Sequence, residues 1–151
     1  VHIGPEVQLN CRVCIGDRSL LSGHLILGEG VHIGVGVELS AYPGQTLVLG
    51  DSVEILSRNI IKGNLQIGAH SRIESGVIMT GSDEHPMRIG ARVTIKGTSY
   101  LYGCLVDDDL LIEHSVLKCN RVEQVKRRDG TVQPVRYVLP QPEGLDSISG
   151  L

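Results

Sequence analysis

Two histidines and one tyrosine in the second half of the chain have side chains suited to acid–base chemistry. His114 lies 17 residues after Gly97, and the two residues share one offset from the aliphatic residues Ile112 and Ile95 that precede them. His85 lies in the run GSDEHP, next to two carboxylates. A neutral imidazole within hydrogen-bond reach of a hydroxyl or an amine can act as a general base. We therefore take His114, His85 and Tyr102 as candidate catalytic residues, which could converge across a subunit interface.

The four cysteines do not have the spacing of a metal site. Cys11 and Cys14 form a lone CxxC pair, whereas Cys104 and Cys119 are 15 residues apart. A structural zinc site needs four ligands, usually as two closely spaced pairs. We therefore expect free thiols, no bound zinc and a cytoplasmic protein.

Composition and charge exclude two classes of partner. The 151 residues carry a net charge of −3, which gives no reason to expect nucleic acid as a partner, since nucleic-acid binding normally needs a basic face. No apolar run reaches the roughly 18 residues of a membrane-spanning helix, and no signal peptide is visible. With aromatic residues at 3% and neither Phe nor Trp, the core must be built from Val, Ile and Leu.

Aliphatic residues recur at every sixth position over much of the chain. The first run contains seven of them: Ile3, Leu9, Ile15, Leu21, Leu27, Ile33 and Leu39. The pattern resumes at Leu49 and again at Ile89, and a glycine often follows the aliphatic residue. A period of six fits neither an α-helix nor an alternating strand. It fits a short strand and a tight corner, repeated three times per coil, with coils stacked as parallel strands.

This repeat resembles that of the hexapeptide-repeat proteins, whose fold is a left-handed parallel β-helix. The resemblance predicts an all-β protein with about six coils over residues 1–118. An ordinary β-sandwich with a fortuitous period is the alternative. For residues 119–151 we expect a C-terminal β-hairpin, turning at Asp129-Gly130, and an extended tail that packs on the helix.

Two features stand out on one wall of the predicted coil. The runs AYPGQT and GSDEHP lengthen two of its units and predict loops, which often carry function on a rigid scaffold. In most turns, the residue directly before the inward residue of this wall is large and apolar. These residues predict an exposed apolar ridge, which is typical of a surface that binds another subunit or protein. The predicted interface residues are Leu20, Ile60, Ile78, Tyr100 and Leu117. Proteins with this fold are typically homotrimers, so the resemblance implies a homotrimer here.

The run MRIGARVTIKGTSYLYGC more specifically resembles the γ-class carbonic anhydrases. The resemblance places the zinc-ligand positions of that family on Thr80, Gly97 and Tyr102. None of the three carries an imidazole, so we expect no zinc and no carbonic anhydrase activity at that position.

The sequence is compatible with three functions. The first is a structural or protein-binding role for a trimeric, γ-carbonic-anhydrase-like β-helix. The second is an acyltransferase that uses an acyl-CoA donor, since the fold also hosts such enzymes; His114 is then the best-placed base and His85 the next. The third is a carbonic anhydrase with relocated metal ligands. Fold alone does not decide among them.

Overall fold

The computed structural model describes residues 1–122 and the backbone of three later strands, at 125–126, 132–133 and 136–137. These residues form strands and turns and contain no helix. Accordingly, no helix in the described part of the chain is long and apolar enough to cross a membrane. The all-β class predicted from the repeat is confirmed.

Three seven-stranded parallel sheets form the walls of a β-solenoid of about seven turns, close to the six predicted. The first sheet contains β1 (His2–Ile3), β4 (Leu20–Ser22), β7 (Glu38–Ser40), β10 (Ile60–Gly63), β13 (Ile78–Gly81), β16 (Tyr100–Tyr102) and β19 (Val116–Lys118). The second contains β2 (Val7–Leu9), β5 (His24–Leu27), β8 (Thr46–Leu49), β11 (Leu65–Ile67), β14 (Met87–Ile89), β17 (Leu105–Val106) and β20 (Arg121–Val122). The third contains β3 (Cys14–Ile15), β6 (His32–Ile33), β9 (Glu54–Ile55), β12 (Arg72–Ile73), β15 (Thr94–Ile95), β18 (Leu111–Ile112) and β23 (Arg136–Tyr137).

The ladders continue beyond residue 118. Strand β20 adds to the second sheet, and β23 pairs in parallel with β18 in the third. Between them, β21 (Val125–Lys126) and β22 (Val132–Gln133) pair antiparallel. The turn predicted at Asp129-Gly130 and the tail after residue 137 lie outside the described residues. Whether residues 119–151 form a unit of their own stays a prediction.

The core consists of aliphatic columns that run along the solenoid axis. On the first sheet the stacked residues are Leu21, Leu39, Ile61, Met79 and Leu101, all fully buried. Inward residues repeat every turn, so each one packs on its counterparts in the turns before and after it. This stacking is what the six-residue period encodes, and it removes the apolar side chains from water.

The corner between the first and second sheets is tight enough to require glycine at some turns. Gly63 has a φ of +91°, and a Cβ at this position would collide with the carbonyl oxygen of Gly81. Only glycine combines this left-handed conformation with so close an approach of two backbones.

Buried polar side chains satisfy backbone groups at the corner between the third and first sheets. Asn59 is fully buried; its amide donates to the carbonyl oxygens of Leu56 (3.0 Å) and Ile73 (3.4 Å). Its Oδ1 accepts a hydrogen bond of 2.7 Å from the N–H of Val77, one turn further on. The Asn59 side chain therefore supplies hydrogen-bond partners to two backbone carbonyl oxygens and one backbone N–H, and these bonds fix the shape of the corner.

Candidate functional site

His85 and Tyr102 lie together at the corner between the first and second sheets. The loop of residues 82–86 is closed by Ser82: its N–H donates to the carbonyl of His85, and its Oγ accepts from the N–H of His85, both at 3.0 Å. The hydroxyl of Tyr102, at the end of β16, donates to the same Oγ at 3.2 Å. The rings of His85 and Tyr102 meet edge to face, with centroids 6.2 Å apart. Hydrogen bonds and packing thus fix the place of His85.

A groove of about 270 Å³ opens beside this pair. Its walls include His85, Leu105, Cys119 and the oppositely charged Glu84 and Arg121. Strands β17 and β20 of the last two turns form one side, and the loop of residues 82–86 forms the other. The groove combines an imidazole, a thiol and an apolar side chain.

His114 lies at a different corner, between the third and first sheets. Its Nδ1 is 2.6 Å from the carbonyl oxygen of Gly97 and 3.2 Å from Oγ1 of Thr98. A carbonyl oxygen can only accept a hydrogen bond, so Nδ1 carries the proton of the neutral ring and Nε2 is left as the acceptor. The side chain is exposed. An exposed histidine that is held through Nδ1, with Nε2 as the acceptor, has the arrangement that a general base requires.

The structure therefore brings two of the three predicted catalytic residues together within one chain. His85 and Tyr102 are in contact, whereas the contacts of His114 are with Gly97 and Thr98 at the other corner. Convergence of all three residues across a subunit interface stays a prediction.

The predicted zinc-ligand places are divided between the same two corners. Thr80 and Tyr102 are neighbours in the register of β13 and β16, and Gly97 lies at the corner of His114. Among the residues that the structure describes, no group of three or more His, Cys, Asp or Glu side chains could hold a metal ion.

Four of the five predicted interface residues lie on the outer face of the first sheet. Leu20, Ile60, Ile78 and Tyr100 share one register, which also includes Glu38, and each is between 36% and 43% exposed.

The prediction for Leu117 is wrong, because this residue is buried beside Leu101 and points inward. Val116 takes the outward place opposite Tyr100. The reason is a step of five residues, rather than six, between the inward residues Ile112 and Leu117. We call Leu20, Ile60, Ile78, Tyr100 and Val116 the apolar ridge.

Sequence reasoning missed the groove beside His24. His24 is half-buried and lines a groove of about 560 Å³. Glu6 of the first turn and the loop of residues 41–45, which contains Tyr42, form other parts of its wall. Its Nδ1 is 3.1 Å from Oγ1 of Thr46 in the next turn. The sequence feature that could have predicted this groove is the insertion AYPGQT, because its loop lies one turn after His24 and lines the groove together with residues of the preceding turn.

The two cysteines of the last turns have different surroundings. Cys104 is fully buried, and burial raises the pKa of its thiol above the ordinary value. Cys119 is exposed, and both are free thiols. Ionisation of a buried thiol is disfavoured because the thiolate loses its hydration. Cys104 is thus a core residue, whereas Cys119 is accessible to reagents.

Comparisons with known proteins point to acyltransferases. No protein-family model matches the chain. The UDP-3-O-acylglucosamine N-acyltransferases of Bordetella pertussis and Bordetella parapertussis are each 29% identical to it over 109 residues, which is 72% of this chain and 29% of the relative. The solved structure of LpxA, a UDP-N-acetylglucosamine acyltransferase from Bacteroides fragilis, is 14% identical, with 94% of this chain and 69% of that chain covered. Its TM-score of 0.36 is too low to support a conclusion. The chain is a hexapeptide-repeat-like β-solenoid similar in sequence to N-acyltransferases, and it spans about three-tenths of the length of the curated relatives it matches.

Proposed function

We propose that the chain is the solenoid of an acyltransferase, which moves an acyl group from a thioester donor such as acyl-CoA to an amine or a hydroxyl. The observation that carries this proposal is the sequence similarity to N-acyltransferases over 109 residues. It favours acyl transfer over a carbonic anhydrase with relocated metal ligands, because the relatives that match the chain are acyltransferases. The N-acyltransferase relatives support an amine as the acceptor, and a hydroxyl is the other acceptor that the same base could serve.

His114 is the general base of the proposed reaction. Nε2 takes the proton of the acceptor amine or hydroxyl as that group attacks the carbonyl carbon of the thioester. The carbon–sulfur bond of the donor then breaks, and the leaving thiolate receives the proton from the imidazolium. The hydrogen bond from Nδ1 to Gly97 supports this role, since it holds the ring in the tautomer that accepts at Nε2.

Oligomerisation forms the second part of the proposal. The apolar ridge exposes five large side chains in one line, and a second copy of the chain would cover it in a homotrimer. The cleft between copies would then bring the corner of His114 near another subunit. The apolar ridge also favours a second candidate function, that of a non-catalytic scaffold that binds a protein partner through the apolar ridge.

Acyl-transfer assays with variants of His114 test the catalytic part. With acetyl-CoA and a panel of amino sugars, we expect His114→Gln to lower kcat by roughly 10²–10⁴-fold, which is the loss typical of a general base. His70→Gln is the matched control, because His70 is also an exposed corner histidine with a positive φ. Equal activity of the His114 variant and the wild type would contradict the role of His114.

A further inference from the structure

The groove beside His24, which we call the His24 groove, is separate from the corner of His114. It opens at the corner between the first and second sheets, and its wall comes from the first three turns, at residues 5–6, 23–24 and 41–46. His114 lies at the corner between the third and first sheets, in one of the last turns. The volume of the His24 groove, about 560 Å³, is within the range of roughly 300–1,000 Å³ that small-molecule sites occupy.

A tight turn holds the loop that forms one side of the His24 groove. The N–H of Gln45 donates to the carbonyl oxygen of Tyr42 at 2.9 Å, and Gly44 has a φ of +78°. With Pro43 before this glycine, the four residues have the hydrogen bond and the residue types of a type II turn. The backbone that carries Tyr42 is therefore fixed before a ligand binds, which lowers the entropy cost of binding.

The opposite wall of the His24 groove is also well defined. Gly23 has a φ of +79°, and a Cβ at this position would collide with the carbonyl oxygen of Ala41, so no side chain can project from it. Next to it, the half-buried His24 has its Nδ1 3.1 Å from Oγ1 of Thr46. This hydrogen bond ties the imidazole to the next turn, so the His24 groove has a fixed shape on both sides.

The lining of the His24 groove offers a negative charge, an aromatic ring and a spare hydrogen-bond acceptor. The described residues that line it include no Lys, Arg or Asp, and the one carboxylate is that of Glu6. The side chain of Tyr42 is 44% exposed. Oε1 of Gln45 is buried without a hydrogen-bond partner among the described residues. A carboxylate beside an aromatic face favours an ammonium group, whereas an anion would meet the carboxylate with no cation to offset it.

We propose that the His24 groove binds a small protonated amine with a compact apolar body. The ammonium group lies towards the carboxylate of Glu6, and the apolar body packs on the exposed ring of Tyr42. The ammonium group carries only hydrogen-bond donors, which suits a wall that has acceptors to spare. The inference goes beyond the proposed function, because it requires neither His114 nor an acyl donor.

Three probes that share a cyclohexane ring and differ in charge test the proposal. Cyclohexylamine is a cation at neutral pH, cyclohexanol is neutral and cyclohexanecarboxylate is an anion. Each is titrated against the whole chain, and saturation-transfer difference NMR measures its Kd. We expect cyclohexylamine to bind about 5- to 30-fold more tightly than cyclohexanol, and cyclohexanecarboxylate to bind most weakly.

Variants of the lining locate the binding. Glu6→Gln should remove most of the preference for cyclohexylamine over cyclohexanol. Tyr42→Leu keeps an apolar contact but removes the aromatic face, so it should weaken binding of cyclohexylamine and leave that of cyclohexanol unchanged. Glu84→Gln is the matched control, because Glu84 is an exposed carboxylate in the loop of residues 82–86, outside the His24 groove. Circular dichroism verifies that each variant is folded.

Three results would overturn the inference. The first is that the wild-type protein binds none of the probes, or binds cyclohexylamine no more tightly than the other two. The second is a preference for cyclohexylamine that both Glu6→Gln and Tyr42→Leu leave unchanged, since the amine would then bind elsewhere. The third is an equal loss of binding in the Glu84→Gln control. Because these measurements involve no acyl donor, amine binding by a protein that acylates no acceptor would support the inference and contradict only the proposed function.

Discussion

Replacing Ile78 and Tyr100 with aspartate tests whether the apolar ridge is buried between subunits. The two side chains are 39% and 43% exposed in the single chain, so about two-fifths of each is left for a partner to cover. Full burial of such side chains contributes about 1.5–3 kcal/mol, so covering the rest contributes about 0.6–1.2 kcal/mol each. Over the five ridge residues, burial contributes about 3–6 kcal/mol per subunit.

This contribution reaches only the lower end of the cost of association, which is about 4–15 kcal/mol. The ridge therefore stabilises a trimer only together with other contacts, and two charges placed within it should be decisive. Each aspartate removes apolar area and adds the desolvation of a carboxylate, which costs several kcal/mol if the charge is buried without a partner. We expect the double variant to be monomeric at micromolar concentration, with the solenoid still folded.

Sedimentation velocity measures the assembly, and far-ultraviolet circular dichroism verifies the fold. The matched control replaces two outward residues of the third sheet, His32→Asp with Thr94→Asp, each of which has a charged register neighbour, Glu54 and Arg72 respectively. That variant should sediment as the wild type does. A wild-type protein that is monomeric, or a ridge variant that remains trimeric, would refute the interface assignment.

Three further predictions concern the solenoid itself. Gly63→Ala should lower the free energy of unfolding more than Gly44→Ala does in chemical denaturation, because both have positive φ but only the Cβ at Gly63 would meet backbone atoms. Asn59→Leu should cost roughly 1–3 kcal/mol by the same measurement, since the N–H of Val77 loses its buried acceptor; an unchanged midpoint would contradict this. Burial raises the pKa of the Cys104 thiol in the folded protein, so the stability that the neutral thiol contributes is present below the ordinary thiol pKa and is lost as pH rises through the raised folded-state pKa. Thermal unfolding as a function of pH measures this loss, which a Cys104→Ala variant should not show.

The period of the inward aliphatic residues was enough to predict the solenoid. A parallel coil places every inward side chain on its counterpart in the next turn, so the repeat in sequence maps directly onto the columns of the core. The pattern did not predict the step of five residues before Leu117. Val116 and Leu117 are both apolar, so hydrophobicity alone cannot tell which of them points inward.

The surroundings of the candidate catalytic residues were only partly accessible from the sequence. Counting residues placed His114 near Gly97, and the structure shows a hydrogen bond between them. The contact between His85 and Tyr102 depends on how Ser82 closes its loop, which no periodicity encodes.

The proposal of acyl transfer is tested most directly by following donor and product together. The purified wild-type chain is incubated with acetyl-CoA and glucosamine-containing acceptors, while the released thiol and the mass of the acceptor are measured over time. We predict thiol release matched by an equal amount of N-acetylated or O-acetylated acceptor over many turnovers. The absence of acylated product with any acceptor and with longer-chain acyl-CoA or acyl-carrier donors, in a folded and correctly assembled protein, would contradict it and favour the scaffold role.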